Sequence, residues 1–105
     1  FDGALNWYEQ ALQLEPDNVD VRTDLGTAYL YTGNPIKAVE HYKSSLEMNP
    51  DHIQTLQNIS VAYLSTGNYS EAIGHLEKLL QSHPDYPQRK EIEQQIEYIR
   101  TQILK

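Results

Sequence analysis

Histidines and carboxylates are the side chains of this sequence that could hold a metal ion or move protons. The chain has four histidines and fifteen acidic residues among its 105 positions. His41 and His75 stand 34 positions apart, and Glu40 and Glu77 lie close to them in sequence. A zinc site needs three or four converging ligands, and no third ligand follows the same spacing. The sequence therefore predicts no metal site.

Nucleophilic catalysis has no better support. Ser60, Ser65 and Ser70 show no pattern that links them to a histidine and an acid. Cysteine is absent, and the five glycines are scattered instead of forming a phosphate-binding loop. A solvated helix face accounts for the close carboxylate pairs that fifteen acidic residues produce. We predict a protein that is not an enzyme and that uses no cofactor.

The balance of charges narrows the choice of partners. Fifteen acidic residues against eight basic ones give a net charge of −7. This charge disfavours nucleic acids and anionic membranes, because both attract clustered lysine and arginine. No apolar run approaches the roughly 18 residues that a membrane-spanning helix needs. The length and the 39% apolar content fit one domain with a modest core.

The sequence repeats itself with a period of 34 residues. When residues 19–52 are aligned with residues 53–86, eleven of the 34 positions are identical. Residues 1–18 continue the same register upstream, since Ala4 matches Ala38 and Pro16 matches Pro50. A period of this length indicates an array in which each unit buries its apolar face against its neighbours.

Each whole unit has the pattern of two helices separated by a Thr-Gly-Asn turn. In the first unit the turn contains Gly33 and Asn34, and Pro35 opens the second helix. Glycine can end a helix through a positive φ angle, and asparagine can cap the helix that follows. In the second unit the turn is 66–68, and Glu71 is placed to complete a capping box.

These residues resemble the tetratricopeptide repeat, a helical unit with a Leu-Gly pair, a tyrosine, an alanine, an aromatic residue and a proline at fixed spacing. The first unit supplies Leu25, Gly26, Tyr29, Ala38, Tyr42 and Pro50, and the second supplies Leu56, Ile59, Ser60, Tyr63, Ala72, Leu76 and Pro84. The resemblance implies an all-α fold, a right-handed superhelical solenoid of helix-turn-helix repeats. Two positions depart from the pattern. Ser60 replaces glycine, and Arg22 replaces a bulky apolar residue, so we expect its methylene stem to pack and its head to stay in water.

The register divides one domain into four segments. Residues 1–18 are predicted to be the second helix of a partial repeat, and residues 19–52 and 53–86 are whole repeats. Residues 87–105 depart from the repeat pattern and are predicted to form a C-terminal capping helix. Its apolar stripe consists of Ile92, Ile96, Ile99 and Ile103.

The resemblance also implies where a partner would bind. In this family the first helices of the repeats line a concave groove that holds an extended peptide or a helix. By register, the groove residues here are Asp20, Thr23, Asp24, Thr27, Tyr31, Gln54, Gln57, Asn58, Val61 and Ser65. The amides would pair with a peptide backbone, and Asp20 and Asp24 would favour a basic partner. We therefore expect a non-catalytic protein-interaction or scaffolding module that binds a protein or peptide.

Some co-chaperone members of the family hold a C-terminal carboxylate with a clamp of lysine, asparagine and arginine in this groove. Thr23 and Thr27 stand in place of the first lysine and asparagine of that clamp, and only Asn58 fits it. This chain is therefore not expected to bind chaperone tails in that way.

A self-assembling structural subunit is the alternative function. Residues 1–18 lack the first helix of their repeat, so their apolar residues would be uncovered, unless the sequence is a fragment of a longer array. The tail helix of a second copy could cover them head to tail and produce a homo-oligomer or filament. The residues for this contact are Leu5, Trp7, Tyr8, Leu12, Ile96, Ile99 and Ile103.

A looser resemblance concerns the origin of the protein. Residues 19–26 and 84–88 are similar to segments of bacterial envelope proteins of the cytochrome c biogenesis factor type. This resemblance implies a bacterial protein of the cell envelope or periplasm, with the cytoplasm as the other compartment.

Overall fold

Six α-helices make up the computed structural model, which describes residues 2–104. The helices are α1 (Asp2–Leu14), α2 (Val19–Tyr31), α3 (Pro35–Met48), α4 (Ile53–Ser65), α5 (Tyr69–Ser82) and α6 (Arg89–Ile103). Each helix packs against the next one along the chain, and α2 also contacts α4. The described part of the chain is 42 × 30 × 19 Å and contains no strand. The predicted all-α helical-repeat solenoid is confirmed.

The two Thr-Gly-Asn turns reverse the chain between α2 and α3 and between α4 and α5. Gly33 and Gly67 have φ angles of +86° and +76°, a region in which a Cβ atom is unfavourable. At the first turn the Asn34 side-chain oxygen accepts a hydrogen bond from the Lys37 amide at 3.3 Å and caps α3. The expected positive φ angles and this cap are therefore present.

The second turn differs from the prediction. The Asn68 side chain donates to the Thr66 hydroxyl at 2.6 Å and makes no capping bond to α5. The predicted capping box with Glu71 is therefore wrong, because the Thr66 hydroxyl competes for the asparagine side chain.

Close packing between α2 and α3 depends on Gly26. A Cβ atom at this position would lie 2.7 Å from Tyr42 Cε1 and 3.2 Å from the Ala38 carbonyl oxygen. Tyr42 is completely buried, so its ring has no room to withdraw. The absence of a side chain at Gly26 is what lets the two helices approach this closely.

The second unit reaches the same packing with other residues. Ser60 takes the position of Gly26, and Leu76, a smaller side chain, takes the position of Tyr42. The buried Ser60 hydroxyl donates to the carbonyls of Leu56 at 2.8 Å and Ala72 at 3.2 Å. Serine is therefore tolerated here, because its hydroxyl is satisfied by the helix and by its neighbour.

Helix α6 closes the last unit. It begins at residue 89, 36 residues after the start of α4, whereas α4 begins 34 residues after α2. Ile92, Ile96 and Ile99 are buried in a cluster with apolar residues of α4 and α5. The expected apolar stripe packs on the preceding unit through these three residues, while Ile103 remains 46% exposed.

Arg22 differs in part from its expected arrangement. One guanidinium nitrogen donates to the Pro16 carbonyl at 3.3 Å. The Nε atom, however, is buried and has no hydrogen-bond partner among the described residues. The head is thus held partly against the protein, because the short 15–18 connection lies beside α2 and offers a carbonyl.

Within residues 2–104, none of the helices combines the length and the apolar content that crossing a membrane requires.

Alanine at Gly26 should destabilise the fold. The new Cβ would overlap the Tyr42 ring, and overpacking of this kind costs about 1–3 kcal/mol of unfolding free energy. The matched control is Gly74→Ala, since a Cβ there meets nothing within 4 Å. That control should stabilise α5 by about 0.5–1 kcal/mol. Urea unfolding of both variants measures the difference, and equal effects of the two changes would contradict the packing argument.

Candidate functional site

The predicted groove residues lie on the neighbouring helices α2 and α4. Nine of the ten reach the surface: Asp20, Tyr31, Gln54, Val61 and Ser65 are exposed, and Asp24, Thr27, Gln57 and Asn58 are half-buried. We call these nine residues the groove surface. They form one candidate site because polar contacts connect the two helices there.

Thr23, the tenth predicted residue, is completely buried and does not belong to the groove surface. Its hydroxyl donates to the Ser45 hydroxyl at 3.1 Å and shares a hydrogen bond with the Thr55 hydroxyl at 2.8 Å. These partners on α3 and α4 satisfy the hydroxyl inside the core, which allows a polar side chain to be buried there. Thr23 is therefore not accessible to a binding partner.

His52 connects this buried group to the groove surface. Its Nδ1 atom is 2.6 Å from the Thr55 hydroxyl, and its Nε2 atom is 3.0 Å from an Asp20 carboxylate oxygen. The sequence does not predict the roles of His52 and Thr55. The repeat pattern gives no signal for them, because Asn18 and Val21 occupy the equivalent positions of the first unit.

Side-chain amides connect α4 to its neighbours across the groove surface. Gln54 donates to an Asp24 carboxylate oxygen at 3.2 Å, and Asn58 donates to the Thr27 hydroxyl at 3.2 Å. Gln57 donates to the Tyr86 hydroxyl at 2.9 Å. The three amide oxygens accept no hydrogen bond from residues 2–104. Each amide uses one of its two N–H donors within the protein, whereas its oxygen is left to accept a hydrogen bond from a partner.

The Thr27 hydroxyl also joins the groove surface to the core. It shares a hydrogen bond of 2.7 Å with the Tyr42 hydroxyl. Burial raises the pKa of Tyr42 to about 12, although the Thr27 contact acts in the opposite direction. The Tyr42 hydroxyl therefore stays neutral at physiological pH, and Asp20 and Asp24 are the charged groups of the groove surface.

The two repeat-related histidines lie against tyrosine rings. The His41 ring lies 5.4 Å from the Tyr29 ring, nearly parallel to it, and the His75 ring lies 5.5 Å from the Tyr63 ring. In residues 2–104, no three histidine or acidic side chains are close enough to share an ion. The 34-residue separation of His41 and His75 therefore reflects equivalent packing positions in the two repeats.

Three residues predicted for self-association are buried within the chain itself. Leu12 packs in the interior, and Ile96 and Ile99 lie in the cluster between α5 and α6. Their inclusion in a surface for a second copy is therefore wrong. Of the other predicted residues, Leu5 and Tyr8 are half-buried, and Trp7 and Ile103 are exposed.

Comparison with protein families agrees with this arrangement of helices. The family model for the middle TPR-like domain of cilia and flagella-associated protein 70 matches residues 1–99. The chain belongs to the tetratricopeptide repeat family. Members of this family generally act as non-catalytic protein-interaction modules. No curated protein sequence matches this tetratricopeptide repeat chain.

Solved tetratricopeptide repeat proteins share the fold at low sequence identity. MamA is 21% identical with a TM-score of 0.85, and the match covers 98% of this chain and 58% of MamA. The type III secretion translocator chaperone SycD of Yersinia enterocolitica is 15% identical with a TM-score of 0.90, covering 99% and 74% of the two chains. The first TPR of Spaghetti (RPAP3), bound to the HSP90 peptide SRMEEVD, is 17% identical with a TM-score of 0.88, covering 99% and 80%. These similarities concern the fold.

The stability of this tetratricopeptide repeat chain should depend on pH through His41. Burial, and after it the nearby Arg22 charge, lower the pKa of His41 below its ordinary value of 6.5. At a pH between the folded-state and unfolded-state pKa values of His41, the unfolded chain binds more protons than the folded chain. The contribution of His41 to the stability of the fold therefore weakens as the pH falls below 6.5. His41→Phe keeps a ring against Tyr29 but cannot be protonated. Its melting temperature should fall less than that of the wild type between pH 7.5 and pH 5.5, about one unit either side of the histidine value. Parallel melting curves would exclude this role.

Proposed function

We propose that this chain is a non-catalytic interaction module that binds an extended basic segment of a partner protein on its groove surface. The observation that carries the proposal is the imbalance of hydrogen-bonding groups. Gln54, Gln57 and Asn58 each use one amide N–H within the protein, whereas their oxygens accept no hydrogen bond from residues 2–104. The Asp20 and Asp24 carboxylates add further acceptors to the same surface. A donor-rich partner complements such a surface.

Charge supports the same choice of partner. Asp20 and Asp24 carry the charges of the groove surface, and the whole chain has a net charge of −7. Lysine and arginine side chains supply several donors and a positive charge, and an extended backbone supplies further N–H donors for the amide oxygens. A complementary charge also accelerates the encounter of the two proteins.

Two relatives show that this fold binds peptides in other proteins. One is the RPAP3 repeat with its HSP90 peptide, and another is YrrB, described as a TPR protein with an unusual peptide-binding site. The HSP90 peptide SRMEEVD ends in acidic residues. The groove surface of this chain is itself acidic, so we propose that it selects the opposite charge.

Replacing Asp24 with asparagine should weaken binding of a basic peptide. Asparagine keeps an acceptor for the Gln54 amide, so the change removes a charge with little structural effect. Loss of one charge contact near a surface is worth about 1 kcal/mol, or about a five-fold increase in Kd. Fluorescence anisotropy with a labelled acetyl-Leu-Arg-Leu-Arg-Leu-amide peptide measures it.

The matched control for this charge change is Asp85→Asn, which removes the same charge from an exposed loop outside the groove surface. Its Kd should change much less than that of Asp24→Asn. Equal weakening by both variants, or tighter binding of the corresponding glutamate peptide to the groove surface, would refute the proposal.

Self-association is the second candidate function, and exposed apolar side chains favour it. Trp7 on α1 is 61% exposed, and Ile103 and Leu104 at the other end of the described chain are also exposed. Trp7 packs edge to face on Tyr8 at 5.2 Å, so the two rings form a joint apolar surface. A second copy that buried this surface would gain hydrophobic free energy.

If copies associate through Trp7, glutamate at this position should dissociate them. Light scattering of the wild type would then show a mass that rises with protein concentration, whereas Trp7→Glu would keep the mass of one chain. Leu14→Glu is the control, because Leu14 lies on the same helix and is also exposed. A wild-type mass that does not change with concentration would eliminate this candidate.

A further inference from the structure

A cleft lies between α3 and the turn that joins α4 to α5. Its volume is about 350 Å³, and its walls include Ile36, Val39, Lys43, Tyr63 and Asn68. We call it the α3 cleft. It shares no residue with the groove surface, and its lining residues lie between positions 36 and 68 of the chain. Ile36 is 71% exposed at its edge, an unusual place for a β-branched apolar side chain.

Tyr63 lines this cleft, and its hydroxyl is available to a partner. The residue is nine-tenths buried, and its ring lies 5.5 Å from the His75 ring at a tilt of 31°. Its hydroxyl makes no hydrogen bond with any of residues 2–104. The first unit resolves the same situation internally, because the Tyr29 hydroxyl donates to a Glu9 carboxylate oxygen at 2.8 Å.

The acceptor is lost through an exchange of charge at one repeat position, while a second exchange puts Glu71 at the position of Lys37, whose ammonium lies over the Tyr29 ring. Lys43 occupies the repeat position of Glu9, just as Tyr63 occupies the position of Tyr29. A lysine ammonium has three donors and no acceptor, so it cannot accept from the tyrosine hydroxyl. The α3 cleft thus has two adjacent donor groups where the first unit has a donor and a carboxylate.

We propose that the α3 cleft binds an acidic side chain of a partner protein, flanked by apolar residues. The partner carboxylate takes the place that Glu9 has in the first unit: it accepts from the Tyr63 hydroxyl and pairs with Lys43. The flanking apolar side chains bury Ile36 and Val39 from water. This second binding surface is independent of the groove surface and opposite to it in charge preference.

Two further features of the cleft affect the strength of binding. The Asn68 side chain donates to Thr66, so α5 begins without a side-chain cap. The backbone N–H groups at the start of α5 favour a negative charge nearby. Glu40 also lines the cleft and acts against an acidic ligand. Removing either charge tests whether the cleft prefers an acidic ligand: Glu40→Gln should strengthen binding of that ligand, whereas Lys43→Gln should weaken it.

The probe is a pair of peptides, acetyl-Leu-Glu-Ile-Glu-Leu-amide and its glutamine counterpart. Titration of the ¹⁵N-labelled 105-residue chain, followed by NMR, reports which residues respond. The glutamate peptide should shift the amide signals of Ile36, Val39 and Tyr63, and the glutamine peptide should bind about ten-fold more weakly. Absence of binding, equal binding of both peptides, or shifts confined to the groove surface would overturn the proposal.

Paired variants separate recognition from folding. Tyr63→Phe removes a hydroxyl without a partner, so affinity should fall about five-fold while the melting temperature stays unchanged. Tyr29→Phe removes a hydroxyl bonded to Glu9, so it should lower the melting temperature and leave affinity unchanged. Lys43→Glu should recreate the internal arrangement of the first unit, raise the melting temperature and abolish binding. If Tyr63→Phe binds the glutamate peptide as well as the wild type does, the cleft is not the site.

Discussion

The contact between Gly26 and the Tyr42 ring is the constraint on which the groove surface depends. Because glycine leaves space on α2, the ring lies against that helix and its hydroxyl reaches Thr27 at 2.7 Å. Thr27 in turn accepts from Asn58 on the next repeat. One packing contact therefore fixes the distance between two helices and also the orientation of an amide that a partner would meet.

Each repeat solves the same geometric problem with its own pair of side chains. Gly26 with Tyr42 becomes Ser60 with Leu76, and in both cases a small residue faces a side chain that fills the remaining space. Residue differences between repeats at surface positions have a different effect. Where Glu9 becomes Lys43, the fold is kept but a tyrosine hydroxyl loses its acceptor. Variation between repeats thus preserves packing and changes what the surface can bind.

Local spacing and backbone conformation determine much of this fold and could be read from the sequence. They predict the helices, the turns at Gly33 and Gly67 and the apolar stripe of α6. The burial of Thr23 could not be predicted, since it depends on hydroxyl partners 22 and 32 residues away. The burial of Ile96 and Ile99 against α5 does not follow from the repeat register either, because α6 begins two residues later than that register places it. For the groove, the repeat register indicates which residues lie at the surface, but the hydrogen bonds of its amides depend on side-chain positions that the register does not determine.

The line of contacts from Asp20 through His52 to the buried hydroxyls has a direction. Thr23 donates to Ser45, and each hydroxyl has one hydrogen, so Thr55 must donate to Thr23 and His52 Nδ1 must donate to Thr55. Because Nε2 lies 3.0 Å from the Asp20 carboxylate, the imidazole ring connects the outermost acid of the groove surface to hydroxyls in the core. A partner cation that binds Asp20 would compete with the His52 ring for one carboxylate, so an event at the surface of the groove would reach the hydrogen bonds of the interior.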